Sequence, residues 1–85
     1  MSFYVYMIIS KHNDKFLSYV GYTKNLENRI KLHNTSKGAK FTKGKLWRLI
    51  YFKKYQNKVE AMKNEYRLKK NYKLRTKIKN DFLDK

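Results

Sequence analysis

The chain has 85 residues, no cysteine and no proline, and 22 Lys and Arg against 6 acidic residues give it a formal net charge of +16. That length fits one domain, residues 1–85, with a modest core that buries about 60–65% of the surface its unfolded form exposes. A disulfide framework, a thiolate zinc site and (with two histidines) an all-protein zinc site of the usual kind are excluded; no window approaches the ~18 apolar residues of a membrane span and no signal peptide opens the chain, so a soluble intracellular protein that attracts polyanions, nucleic acid before membranes, is the expectation.

Residues 3–9 are apolar and aromatic, with Phe3, Val5, Met7 and Ile9 on one face and Tyr4, Tyr6 and Ile8 on the other, which predicts a strand. A second strand over residues 16–22 follows the turn around His12 and Asn13, giving an antiparallel hairpin. Symmetric pairing about that turn sets Tyr6 opposite Tyr19 and Tyr4 opposite Gly21, so that two phenols share one surface about 5 Å apart. Asn25 caps a helix that runs to Asn34, with Leu26, Ile30 and His33 as its apolar stripe and Arg29 at the stripe's border. The loop TSKGAKFTKGK, residues 35–45, follows as irregular or short helical structure. Residues 46–53 (LWRLIYFK) read as a strand covered on both faces. Asn57 and Glu60 form a capping box that starts a helix carrying Val59, Met62 and Tyr66 on one stripe, with Glu65 beside it. After Asn71, Leu74, Ile78 and Phe82 recur at helical spacing and predict a final helix. The order ββαβαα implies an α+β fold, a small antiparallel three-stranded sheet flanked by helices.

Five of the six acidic residues have a local task. Asp14 sits in a polar turn, Glu27 in the first turn of a helix and Glu60 in the capping box, while Asp81 and Asp84 lie in a solvated tail. Glu65 falls mid-helix, where a rotation of about 100° per residue places Ala61, Met62, Leu68 and Tyr72 around it. A carboxylate on a half-apolar face wants a cation. A neighbouring Lys or Arg can supply it as an ion pair, and so can a divalent metal that prefers oxygen ligands.

Tyr4-Val5-Tyr6, then Tyr19-Val20-Gly21, Arg29 eight residues beyond that glycine, His33 four later and Glu65 within AMKNEYRLK resemble the GIY-YIG nuclease superfamily. The resemblance covers nearly the whole chain and is closest to the small single-domain bacterial proteins of the superfamily, which carry an HNTSKGAKFTKG-like segment after the first helix. Other members include homing endonucleases, restriction enzymes and the amino-terminal domain of the excinuclease C subunit. Each matched residue also has an ordinary reading: sheet packing for the tyrosines, a stem covering the core edge for Arg29, a solvated helix end for His33, a solvated surface for the lysines. Order and spacing together favour the nuclease.

The resemblance implies the GIY-YIG fold and a DNA endonuclease using one Mg2+ or Mn2+. In that reading Tyr6 is the general base, directly or through a water, and His33 accepts or relays its proton. Arg29 pairs with the scissile phosphate, Tyr19 orients water or phosphate, and Glu65 anchors the metal. Lys37, Lys40, Lys43 and Lys45 meet the DNA backbone. The first motif reads YVY and keeps the tyrosine at its third position. Tyr22 occupies a position where several active relatives carry lysine, which passes the phosphate contact to Lys24, and Lys77 stands where many members have asparagine. Branched, flapped or damaged DNA as substrate and a bacterial cytoplasmic location are carried from relatives. Two alternatives remain: a noncatalytic nucleic-acid-binding module, and a nuclease subunit that depends on a targeting partner.

Overall fold

In the computed structural model, which describes residues 2–84, the chain runs β1 (Phe3–His12), β2 (Lys15–Thr23), α1 (Leu26–Asn34), a 3₁₀ turn (Lys40–Thr42), β3 (Arg48–Tyr55), α2 (Lys58–Lys70) and α3 (Tyr72–Leu83). The α+β architecture and the order ββαβαα are as expected. β1 is the central strand of an antiparallel sheet ordered β2-β1-β3. Each helix begins at an asparagine whose side chain accepts a backbone N–H: Asn25 from Asn28, Asn57 from Glu60 and Asn71 from Leu74. Among the described residues no helix is long and apolar enough to cross a membrane.

The hairpin turns one residue later than symmetry about His12 and Asn13 required. His12 pairs with Lys15, so Asn13 and Asp14 form the loop, and Asn13 takes the left-handed conformation (φ 52°) that asparagine tolerates better than most residues. Tyr6 therefore faces Gly21, Tyr4 faces Thr23, and Ile8 faces Tyr19. The shift preserves the faces, because side chains alternate along a strand, and Tyr6 and Tyr19 still share one surface as diagonal neighbours. It also gives Gly21 a purpose. A Cβ at that position would stand 2.5 Å from the Tyr6 hydroxyl oxygen and 2.7 Å from Cζ, so the phenol lies where a side chain would otherwise be.

β1 is buried on both faces from Val5 to Ser10. On one face Val5, Met7 and Val20 pack with Ala61 and Leu68 of α2, joined by Ile78 of α3. On the other, Tyr6 and Ile8 pack with Trp47, Leu26 and Ile30, under α1 and the segment that follows it. Fully buried side chains such as Met7 and Ile8 contribute about 1.5–3 kcal/mol each. β3 is an edge strand, less covered than its apolar run predicts: Arg48 and Phe52 are exposed, and the pairing slips between Met7 and Ile8 so that Ile50 is skipped. Residues 46 and 47 lie outside the strand, with Leu46 in solvent and Trp47 plugging the α1-side core.

α2 docks on a different stripe from the expected one. Val59, Met62 and Tyr66 are exposed, and Ala61 and Leu68 face the sheet. The small Ala61 lets the helix sit close to β1, which turns the larger apolar residues to the flank. Glu65, one turn from each of Ala61 and Leu68, consequently stands on the docking face. Gly21→Ala is expected to overpack the Tyr6 side and to lower stability by about 1–3 kcal/mol, measured by chemical or thermal unfolding; an unchanged midpoint would contradict the close approach of Tyr6 to Gly21.

Candidate active site

Tyr6 and His33 meet in the layer between the sheet and α1, both with no exposed surface. The Tyr6 hydroxyl lies 2.7 Å from His33 Nε2. Arg29, one turn before His33 and half-buried, donates from Nε to the same phenol oxygen at 3.5 Å. Residues four apart share one helix face, so α1 delivers both side chains to the tyrosine. Tyr19 sets its ring edge-on to His33 at 5.2 Å and stacks on Phe41 at 6.2 Å. Beyond it an open cleft of about 260 Å³ is lined by Ser18, Tyr19, Val20, Phe41, Lys69 and Arg75.

The other edge of the imidazole is held by the segment that reads, in sequence, as a basic loop. His33 Nδ1 lies 2.9 Å from the hydroxyl of Thr42, which itself donates to the Ala39 carbonyl at 2.8 Å. The Trp47 indole N–H donates to the Thr42 carbonyl at 3.0 Å. Asn34 clasps the Trp47 backbone, accepting its N–H at 2.6 Å and donating to its carbonyl at 3.1 Å. Gly38 passes so close to the imidazole that a Cβ there would collide with Nδ1. Thr42, Gly38, Asn34 and Trp47 are thus site residues that sequence reasoning missed. The segment HNTSKGAKFTKG was conspicuous, but its lysines drew attention from the glycine and threonine between them.

Burial raises the Tyr6 phenol above its ordinary pKa, and Arg29 opposes this by hydrogen bond and by charge; Tyr19 and Glu65 push the same way as burial. Glu65 on α2 thus acts on the phenol held by β1 and α1. Burial likewise lowers the His33 imidazole, and the Arg29 charge lowers it further. Both groups are therefore held neutral. Among the described residues the only ion pair joins Glu65 to Lys69, at 3.4 Å, one helical turn away. The Glu65 carboxylate remains 18% exposed and Lys69 49% exposed, so the partner can be displaced into water.

The predicted phosphate contacts are distributed more widely. Lys24, Lys37, Lys40 and Lys43 are exposed, with the Lys24 ammonium over the Phe3 ring at 5.6 Å. Lys45 is tied back to its own loop, donating to the carbonyls of Phe41 at 3.2 Å and Lys43 at 3.4 Å. Arg75, which lines the cleft beside Tyr19, was not foreseen; its Nε is buried and has no hydrogen-bond partner among the described residues.

A family model described as the GIY-YIG catalytic domain matches residues 2–79. The chain belongs to the GIY-YIG family. Such a domain is of the nuclease type, with nucleic acid as substrate. A UPF0213 protein of Oceanobacillus iheyensis is 49% identical over 65 residues, spanning 75% of this chain and 74% of that protein. One from Clostridium perfringens is 48% identical over 66 residues, 76% of this chain and 70% of the other. The solution NMR structure of a UPF0213 protein from Bacillus halodurans is 36% identical and aligns over 91% of this chain and 80% of that one, with a TM-score of 0.48.

GIY-YIG domains of this type use a divalent metal, and the donors here fit one in a particular way. No cluster of three or more His, Cys, Asp or Glu side chains is formed among the described residues. Among the described residues Glu65 is the one carboxylate whose charge helps raise the Tyr6 phenol. A hard cation such as magnesium is commonly held by one or two carboxylates together with waters and substrate phosphates, and Glu65 fits that mode.

The lowered His33 imidazole sets a pH dependence of stability. The unfolded histidine takes up a proton near pH 6.5 and the folded one only at lower pH, so below about 6.5 the unfolded chain binds the extra proton and stability falls as pH falls. His33→Gln should therefore lose less stability than the parent between pH 7.5 and about 5.5 in thermal unfolding. Equal losses would contradict the buried neutral imidazole.

Proposed function

We propose that this protein is a divalent-metal-dependent endonuclease that hydrolyses DNA phosphodiesters in the bacterial cytoplasm, with Tyr6, Tyr19, Arg29, His33 and Glu65 as its catalytic residues. The observation that carries the reading is the buried hydrogen bond of 2.7 Å between the Tyr6 hydroxyl and His33 Nε2, with Arg29 on the same oxygen. A phenol of raised pKa is a poor free base at neutral pH. Coupling to His33 removes the difficulty. As the attacking water gives its proton to the Tyr6 oxygen, the phenolic proton passes to His33 Nε2, and no phenolate has to accumulate. General-base assistance of this kind contributes about 10²–10⁴-fold.

Arg29 stands at the solvent side of this pair, and its hydrogen bond to the phenol is long. A phosphodiester draws the guanidinium outward, which admits water to Tyr6 and places the positive charge where the non-bridging oxygens gain negative charge. Tyr19, partly exposed beside His33, orients water or phosphate. Glu65 would hold one Mg2+ or Mn2+, which when bound supplies Lewis-acid stabilisation of the phosphoryl and leaving oxygens. Lys24, Lys37, Lys40, Lys43 and Lys45 supply backbone contacts, which makes binding salt-sensitive and weakly dependent on sequence. Branched, flapped or damaged DNA is the substrate class proposed, with a targeting protein as a further partner.

One observation favours a noncatalytic binding module instead: the ion pair of Glu65 with Lys69, which gives the carboxylate a structural task. Glu65→Gln separates the metal-ligand role of this carboxylate from the ion-pair role, and a parent that binds DNA but nicks none with magnesium marks the binding module. It retains shape and hydrogen bonding and removes the charge that holds a hard cation, so magnesium-dependent nicking should collapse while DNA affinity persists or rises. The exposed Lys69 loses little, and the melting temperature should move by no more than about 1 kcal/mol equivalent. A destabilised variant that still nicks at the parent rate would sink the metal-ligand assignment and leave the ion pair as the role of Glu65.

A further inference from the structure

Tyr6, His33 and Thr42 have no exposed surface, so every hydrogen on their side-chain heteroatoms must be placed within the structure. Two groups contact the Tyr6 oxygen, Arg29 Nε and His33 Nε2. A guanidinium only donates, so the phenolic hydrogen has one acceptor among the described residues, His33 Nε2. That nitrogen must then be bare, and a neutral imidazole with bare Nε2 carries its hydrogen on Nδ1. The Nδ1 hydrogen has one acceptor in turn, the Thr42 hydroxyl oxygen at 2.9 Å. The Thr42 hydrogen is directed to the Ala39 carbonyl at 2.8 Å, which leaves the oxygen free to accept. Every hydrogen is paired in this arrangement. With the imidazole hydrogen on Nε2 instead, the buried phenolic hydrogen has no acceptor.

We propose that Thr42 is a positioning residue that fixes His33 in the tautomer with its hydrogen on Nδ1, leaving Nε2 open to the proton of Tyr6. Thr42 never touches the substrate. Its own place is set by the 3₁₀ turn, through its backbone N–H to the Ala39 carbonyl at 3.0 Å, and by the Trp47 indole on its carbonyl. Gly38, against the Nδ1 edge of the ring, leaves no room for a side chain that would part the imidazole from the hydroxyl. The segment between α1 and β3 therefore has a second role beside its lysines: it holds the histidine as an acceptor. Without the hydroxyl one buried hydrogen is orphaned in either tautomer, that of Nδ1 or that of Tyr6, so the preference weakens and a fraction of the molecules carries the hydrogen on Nε2, where the nitrogen that faces Tyr6 can only donate.

This role deepens the relay proposed above and rests on it for its effect on rate, but the tautomer is measurable without any activity. Two-bond and three-bond 1H–15N correlation spectra distinguish a protonated from a bare ring nitrogen. In the parent protein near pH 7.5, His33 Nδ1 should read as protonated and Nε2 as bare. Thr42→Val should populate the tautomer with its hydrogen on Nε2 beside the parent one, and Thr42→Ser, which restores the hydroxyl, should return the parent tautomer alone. Nicking by Thr42→Val should fall on the order of 10²-fold in kcat with KM little changed, because the imidazolium formed when Nε2 takes the Tyr6 proton then leaves its Nδ1 hydrogen unpaired, and Thr42→Ser should recover most of it. A protonated Nε2 in the parent overturns the proposal even where the valine variant does not fold. So does a valine variant that holds the parent tautomer alone, or one with mixed tautomers and the parent kcat. If the parent and the valine variant show the expected tautomers and the parent nicks no DNA, the assignment of Thr42 to the tautomer stands and the nuclease reading falls.

Discussion

The hydrogen bond between Tyr6 and His33 makes demands on every element around it. Two polar side chains with no exposed surface must satisfy each other and the remaining polar atoms, because an unpaired buried donor is costly in a low-dielectric interior. The phenol reaches the histidine by lying where a side chain on residue 21 would be, which requires glycine there. The histidine is brought by an α1 face that also packs Leu26 and Ile30 onto the sheet. Its far nitrogen needs Thr42, and Thr42 needs a turn pinned by Trp47, whose backbone is in turn clasped by Asn34 at the end of α1. The segment between α1 and β3 is therefore part of the buried site.

The charges are arranged in the opposite sense to the bulk composition. The surface is strongly cationic, yet the centre of the site is a phenol and an imidazole kept neutral by burial, with Arg29 at its boundary and Glu65 arriving from α2. Such a centre stores no net charge of its own. In the proposed function a polyanion drawn by the surface lysines meets first Arg29 and Tyr19, and a bound phosphodiester supplies the negative charge that the site lacks.

Much of this was legible in the sequence, for local reasons. Alternation of apolar residues marked β1 and β2, asparagine caps marked the helix starts, and Leu26, Ile30 and His33 marked the buried face of α1. Glu65 stood out as a carboxylate beside Ala61 and Leu68 on a half-apolar face that wants a cation, which Lys69 supplies as an ion pair. Where the reading departed, longer-range packing decided. Asn13 took the left-handed position in the turn and moved the hairpin register by one residue in its centre. The smallness of Ala61 turned α2 so that Val59, Met62 and Tyr66 faced solvent. Thr42 and Trp47 were invisible because their partners lie across a loop, and no periodicity announces a threonine whose hydroxyl meets a histidine nine residues away.

The proposed mechanism depends on the Tyr6 oxygen as the group that takes the proton of the attacking water. The most direct measurement is the single-turnover rate of magnesium-dependent nicking by Tyr6→Phe beside the parent, with folding and DNA affinity measured on the same samples. A rate lower by about two orders of magnitude or more, with fold and affinity retained, is the predicted result. A phenylalanine variant that cuts DNA as fast as the parent would contradict it.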